Sequence, residues 1–140
     1  RSISVTVASA AGLIGSARLT AYSASKFAAV GFTSSFRNEL KKEKCQVRTL
    51  LVCPFYISTG MFEGVKTKVP SLLPILKPES VADKIVEAIN KGKERLILPP
   101  FAGLAGFIAN SPVFLADRIE NIFGINSCMD EFVGRKKEND

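Results

Sequence analysis

The amino-acid sequence predicts an α/β fold in which helices cover a parallel β-sheet. Between residues 3 and 98, three short runs with strand character alternate with two segments of helical character. This alternation is typical of strand–helix–strand crossover units, whose strands run parallel. The composition indicates a globular domain, because 46% of the 140 residues are hydrophobic and 23% are charged.

The predicted strands are short and rich in β-branched residues. Residues 3–7 alternate apolar and polar side chains, as a half-buried strand does. Residues 47–53 are mainly β-branched and leucine up to Pro54, so we expect a buried second strand that the proline ends. Residues 94–98 form a third short run before two prolines.

The predicted helices follow the first and second strands. Residues 20–42 contain no proline and mix alanines with large apolar residues, which predicts a long helix. A second helix is expected to start at Pro78 and to end at Asn90, with Gly92 as the stop. The connection at 57–77 is long, irregular and apolar, which is typical of a lid.

Charge, histidine content and cysteine content exclude several classes of function. The net charge is +6, but the basic runs at 41–44 and 135–137 are not interleaved with aromatic residues. We therefore expect solvated surfaces and no nucleic-acid partner, while an anionic lipid surface stays open as a partner. The sequence has no histidine, which excludes Ser-His-Asp catalysis within it and predicts no metal site. Cys45, Cys53 and Cys128 are far apart and odd in number, which predicts buried or free thiols in a reducing compartment and no disulfide framework.

A serine, a tyrosine and a lysine are the candidate catalytic residues. Tyr22 and Lys26 are four residues apart on the first predicted helix, so their side chains share one face. An ammonium group beside a phenol favours the phenolate, which makes such a pair a general acid/base without histidine. Ser9 follows the first strand, at the sheet edge where ligands of open α/β sheets bind, and its hydroxyl could contact a substrate oxygen. Tyrosine and lysine at this spacing occur by chance in many helices. Together with Ser9 in a strand–loop–helix context, however, the pair is strong evidence for a catalytic site.

The stretches VTVASAAG and AYSASKFAAVGF resemble the serine and Tyr-x-x-x-Lys motifs of the short-chain dehydrogenase/reductases. This resemblance implies a Rossmann-type, doubly wound parallel sheet and a catalytic set of Ser9, Tyr22 and Lys26. It also implies that NAD or NADP is the cofactor, with Tyr22 beside it and Lys26 on the nicotinamide ribose hydroxyls.

The stretch CPFYISTGMF resembles the family's cofactor-binding segment after its sixth strand. This resemblance implies cofactor contacts from Pro54, Ile57 and Thr59. Phe55 replaces the usual glycine and is given no role.

The stretches TGMFEG, PSLLPILKPES and KIVEAI are similar to the group of epidermal retinol dehydrogenase 2 and the 17β-hydroxysteroid dehydrogenase type 11 enzymes. That similarity implies a small lipophilic substrate, such as a retinoid, a steroid or a long-chain alcohol. The apolar connection predicts the substrate contacts, which are Met61, Phe62, Leu72 and Leu73, together with Ser9.

The family resemblance also implies that residues 1–140 are the C-terminal part of one Rossmann-type domain, with the phosphate-binding loop and one catalytic asparagine outside the sequence. The expectation is therefore that these residues alone are inactive. The alternative to a hydride-transferring oxidoreductase is a catalytically incomplete module for binding, dimerisation or lipid-surface attachment.

Residues 97–140 are expected to form a C-terminal extension, and within it residues 97–116 carry no charge. The uncharged stretch has two open interpretations: a buried or subunit-facing segment, as in a homodimer, or a patch on a membrane. The second would place the protein on the cytosolic face of the endoplasmic reticulum or on lipid droplets.

Overall fold

A computed structural model describes residues 2–134, which form three strands and four helices joined by loops and short 3₁₀ turns. The elements in chain order are β1 (Ile3–Val7), α1 (Thr20–Lys42), β2 (Arg48–Pro54), α2 (Pro78–Asn90), β3 (Arg95–Leu98), α3 (Ala105–Ala109) and α4 (Val113–Phe123). Turns of 3₁₀ helix occupy Ala10–Gly12, Pro100–Leu104 and Ile125–Ser127.

The three strands form one parallel sheet in the order β1-β2-β3. Val5 of β1 lies opposite Leu50, and Val52 lies opposite Leu96 of β3. Because α1 joins β1 to β2 and α2 joins β2 to β3, both connections are the predicted crossovers. The predicted parallel α/β architecture is confirmed.

The two helices cover opposite faces of the sheet. Leu50 and Val52 point to one face and pack in a core with Val81 and Ala88 of α2. Leu51 and Cys53 point to the other face, against Ala29 and Val30 of α1. This alternation along β2 buries both faces of the strand, so β2 is apolar without interruption from Leu50 to Cys53.

The second strand ends at Pro54, as predicted, and the proline itself belongs to the strand. Pro54 is the last residue of β2 and lies opposite Leu98. The next donor, the Phe55 N–H, continues the ladder to the Leu98 carbonyl at 2.6 Å. The observed starts of β2 and β3, Arg48 and Arg95, each fall one residue after the predicted ones.

Both long helices have the predicted bounds, because their ends are encoded locally. Pro78 is the first residue of α2, where its missing N–H leaves no hydrogen bond unmade. Gly92, after the end of that helix, has φ +68°, a left-handed conformation that glycine adopts without steric cost. Basic residues Lys41 and Lys42 occupy the last turn of α1, where they complement the helix dipole.

The uncharged stretch at 97–116 is partly buried and partly exposed. Ala102, Ala105 and Ala116 are buried, whereas Phe107 and Phe114 are 79% and 77% exposed. Within residues 2–134, no helix is both long and apolar enough to cross a membrane. The same residues contain no cluster of three or more His, Cys, Asp or Glu side chains suited to a metal ion. The basic run at 135–137 lies outside the described residues.

Candidate active site

An apolar cavity of about 260 Å³ opens at the carboxyl ends of β1 and β2. Ser9, Tyr22 and Lys26 all line it, although they come from a turn and from a helix. The carboxyl edge of a parallel sheet is where such folds bind ligands. The structure therefore brings the three predicted catalytic residues to one cavity.

Ser9 lies just after β1, at the start of the 3₁₀ turn Ala10–Gly12. Its backbone is extended, and its Oγ accepts a hydrogen bond from the Ala11 N–H at 3.2 Å. This bond caps the turn and fixes the orientation of the hydroxyl. The hydroxyl proton is not used by that bond, so Ser9 can still donate to a ligand oxygen in the cavity.

Tyr22 and Lys26 lie on successive turns of α1, and both are half-buried. The Lys26 Nζ is 5.3 Å from the centroid of the Tyr22 ring, which places the ammonium within reach of the aromatic face. The ring edge of Tyr22 contacts Phe62, with 5.5 Å between centroids and 79° between planes. This contact orients the phenol, and no described residue forms an ion pair with Lys26.

Gly12 allows the Ser9 turn to approach the helix that carries Tyr22 and Lys26. A Cβ at Gly12 would lie 2.6 Å from the Lys26 carbonyl oxygen and 3.0 Å from a Val30 methyl carbon. No side chain larger than hydrogen fits in this space without moving backbone. Gly12 thus sets the separation between Ser9 and the Tyr22–Lys26 pair.

The segment after β2 supplies a second side of the cavity. Pro54, Ile57 and Thr59, the predicted cofactor contacts, all line it. Ile57 forms an isolated parallel bridge with Leu76, and the Ser58 N–H donates to the Leu76 carbonyl at 2.9 Å. These contacts hold the two ends of the long connection together. The cavity residues at its first end, next to this bridge, are Pro54, Ile57 and Thr59.

Three of the four apolar substrate contacts predicted in this connection line the cavity. Met61, Phe62 and Leu73 belong to its wall, and Leu73 is also packed against Ala10. The structure places Leu72 elsewhere: its side chain is 42% exposed and lies outside the wall. Neighbouring residues in an irregular segment point in different directions, and sequence alone did not separate Leu72 from Leu73.

Comparison with known proteins connects this geometry to a family. A family model described as short chain dehydrogenase matches residues 3–70, which include the Ser9 turn, the Tyr22–Lys26 pair and the segment after β2. Epidermal retinol dehydrogenase 2 of Mus musculus is 43% identical over 136 residues, which are 96% of this chain and 44% of that protein. The same enzyme of Homo sapiens gives the same identity and coverage.

The chain is therefore similar to the short-chain dehydrogenase family over residues 3–70 and to these relatives over 96% of its length. Retinol dehydrogenase 10 of Rattus norvegicus is a more distant relative, 35% identical over 96% of this chain and 40% of its own length. The chain spans less than half the length of these relatives. The resemblance predicted from the sequence is confirmed for the family and for the epidermal retinol dehydrogenase 2 group.

Sequence reasoning missed Tyr56, a second tyrosine in the cavity. Its ring packs edge-on against Phe62 and Phe55. Burial raises the pKa of Tyr56 well above the usual tyrosine value, and the nearby Cys128 and Tyr22 raise it further. Tyr56 therefore stays protonated in the neutral pH range, as a hydrogen-bond donor in an apolar wall.

A further side of the wall comes from the C-terminal part of the chain, to which the sequence analysis assigned no site residue. These residues are Phe101, Ala102, Leu104, Ala105, Ile108, Phe123, Ile125 and Cys128. Hydrogen bonds fasten this part to the loop before α1. The Ser16 hydroxyl donates to the Ile125 carbonyl at 2.9 Å, and the Arg18 guanidinium donates to the Asp130 carbonyl at 3.3 Å.

Proposed function

We propose that the protein containing this chain is an NAD- or NADP-dependent oxidoreductase that interconverts the alcohol and the carbonyl of a lipophilic substrate, most specifically retinol and retinal. The observation that carries the proposal is the convergence of Ser9, Tyr22 and Lys26 on one apolar cavity at the carboxyl edge of the sheet. Members of the short-chain dehydrogenase family generally use NAD or NADP.

The donor groups around the cavity fit a nicotinamide nucleoside. The Lys26 ammonium has no carboxylate partner among residues 2–134, so it can donate to the ribose hydroxyls. Ile57 offers an apolar surface for the nicotinamide ring, and Thr59 offers a hydroxyl for its carboxamide or the adjoining phosphate. A bound nicotinamide would accept hydride in alcohol oxidation and donate hydride in carbonyl reduction.

The chain's own residues supply proton transfer and orientation. In alcohol oxidation, the Tyr22 Oη removes the proton of the substrate hydroxyl, and in carbonyl reduction it returns that proton. The positive charge of Lys26, on the same helix face, stabilises negative charge on the tyrosine oxygen. Ser9 donates a hydrogen bond to the same substrate oxygen and keeps it within reach of Tyr22.

An extended hydrocarbon substrate suits the walls of this cavity. Phe62, Leu73, Leu104 and Ile108 surround the polar groups with apolar surface. Burial of such a ligand contributes about 25 cal/mol for each Å² of apolar surface removed from water, which favours long substrates over short ones. The names of the relatives, epidermal retinol dehydrogenase 2 and retinol dehydrogenase 10, support a retinoid.

Substrate specificity is the direct test. The longest reading frame that contains this sequence is expressed, and cofactor reduction is followed with retinol and with ethanol, each with NAD and with NADP. The proposal predicts that kcat/KM for retinol exceeds that for ethanol by orders of magnitude with the preferred cofactor. Absence of cofactor reduction with retinol and other long alcohols, in folded protein, would reject it.

The proposal includes attachment to a lipid surface, on the cytosolic face of the endoplasmic reticulum or on lipid droplets. Phe107, Val113 and Phe114 are at least three-quarters exposed and contiguous in sequence with the cavity wall at Leu104 and Ile108. Exposed apolar side chains on the segment that also lines the cavity would hold the cavity close to lipid, where such a substrate is dissolved.

Liposome flotation tests this attachment. Changing Phe107 and Phe114 to glutamate should release the protein from liposomes without unfolding it, since both side chains are exposed. Val86→Glu is the matched control, because Val86 is 57% exposed on α2, outside the patch. Unchanged liposome binding by the double variant would exclude this patch as the attachment surface.

A further inference from the structure

A second cavity, of about 190 Å³, lies at the opposite end of β2 from the candidate active site. It sits between the second half of α1 and the amino ends of β2 and β3. About half of its lining surface is polar, in contrast to the apolar cavity at the carboxyl edge. The lining residues are Thr33, Ser34, Arg37, Thr49, Leu51, Glu94 and Arg95.

Thr49 presents an unpartnered hydroxyl to this cavity. The residue is 3% exposed, and its Oγ1 has no hydrogen-bond partner among the described residues. The neighbouring Thr33 hydroxyl, in contrast, donates to the Ala29 carbonyl at 2.8 Å. A buried hydroxyl without a partner destabilises the folded state, because it has lost its hydrogen bonds to water. Thr49 thus lacks a partner that a ligand in the cavity would supply.

The charges around the cavity favour an anion. Arg37 and Lys41 approach the two carboxylate oxygens of Glu94, at 3.0 and 3.5 Å, so this one acidic group is already neutralised. Arg95 also lines the cavity and has no carboxylate within 4 Å in the described part of the chain. Three cations therefore face one carboxylate, and a guanidinium is well shaped to bind a phosphate or a carboxylate.

We infer that this cavity binds a small oxyanion, held by the Arg95 and Arg37 guanidinium groups and by the Thr49 hydroxyl. The chemistry suits inorganic phosphate or a phosphate carried by a lipid headgroup. A water molecule could pair with Thr49, but an oxyanion would pair with Thr49 and with the exposed Arg95 guanidinium at the same time. The site is separate from the cavity of the proposed oxidoreductase, so the inference does not depend on that activity.

Phosphate titration of the chain tests the inference, with the melting temperature and ³¹P NMR as readouts at constant ionic strength in chloride. Bound phosphate should raise the melting temperature. Thr49→Val keeps the shape of the side chain and removes its hydroxyl, so phosphate affinity should fall about tenfold, the effect of one hydrogen bond to a charged group. The same variant should be at least as stable as the wild type without phosphate.

Thr67→Val is the matched control, because Thr67 also has a buried unpartnered hydroxyl but does not line the cavity. It should leave phosphate affinity unchanged. Arg95→Gln should weaken phosphate binding at least tenfold, whereas Arg118→Gln, an exposed arginine on α4, should not. Equal affinities in all these variants would show that phosphate binds elsewhere and overturn the inference.

Liposomes with and without phosphatidic acid form the second arm of the experiment. If the natural ligand is a headgroup, Arg95→Gln should weaken binding to phosphatidic acid vesicles while inorganic phosphate binds only at high concentration. If it is a free phosphate, inorganic phosphate alone should saturate the site. Failure of both probes to bind wild-type protein would refute the site.

Discussion

Replacing Gly12 with alanine tests how closely the Ser9 turn must approach α1. The added methyl group would lie 2.6 Å from the Lys26 carbonyl oxygen and 2.8 Å from its carbonyl carbon. Since ordinary contact begins at 3.4 Å, the turn and the helix must separate by about 0.8 Å. The obstacle is backbone, so a change of rotamer cannot relieve it.

This separation would move Ser9 away from Tyr22 and Lys26. A misplacement of about 1 Å in a catalytic site can lower the rate about 100-fold. Overpacking of this kind also destabilises a protein by about 1–3 kcal/mol. We therefore expect Gly12→Ala to lower kcat by up to about 100-fold, with a moderate fall in melting temperature.

Retinol oxidation kinetics and thermal unfolding measure both effects in the longest reading frame that contains the sequence. Gly15→Ala is the control, because a Cβ there meets nothing within 4 Å. It should behave as the wild type in both assays. A Gly12→Ala variant with wild-type kcat would refute the argument that this close approach positions Ser9.

Two further predictions follow from the positions of buried and exposed side chains. Leu73→Ser should lower the free energy of unfolding by about 2–5 kcal/mol in chemical denaturation, because Leu73 is only 6% exposed. Leu72→Ser should stay within about 0.5 kcal/mol of the wild type, because Leu72 is 42% exposed. Similar losses in both variants would contradict this placement. Cys45 is exposed and should react rapidly with a thiol reagent at neutral pH. Cys53 and Cys128 should react only on unfolding, because burial raises the pKa of both thiols and leaves less thiolate. Equally fast reaction of all three thiols would refute this difference.

Local patterns were sufficient to predict the sheet and its two long helices. The alternation in β1, the proline at the start of α2 and the proline-free stretch of α1 each depend on neighbours in sequence. The convergence of Ser9 with Tyr22 and Lys26 was predictable for a related reason: a short loop returns the chain to the same edge of a parallel sheet.

The part of the cavity wall that residues 101–128 supply was not predictable in the same way. Ile125 lines the cavity because the Ser16 hydroxyl binds its carbonyl, a contact between residues 109 positions apart. Such contacts leave no periodic pattern in the sequence. The side-chain directions of Leu72 and Leu73 and the burial of Tyr56 likewise depend on packing between distant segments.

Single-turnover kinetics of the Tyr22→Phe variant test whether Tyr22 transfers the proton. Tyr56→Phe is the matched variant, since both tyrosines line the same cavity and only Tyr22 shares a helix face with Lys26. With cofactor affinity measured separately, Tyr22→Phe should slow hydride transfer at least about 100-fold while cofactor still binds, and Tyr56→Phe should slow it by less than about tenfold. Near-normal hydride transfer in folded Tyr22→Phe protein would show that Tyr22 is not the proton-transferring group.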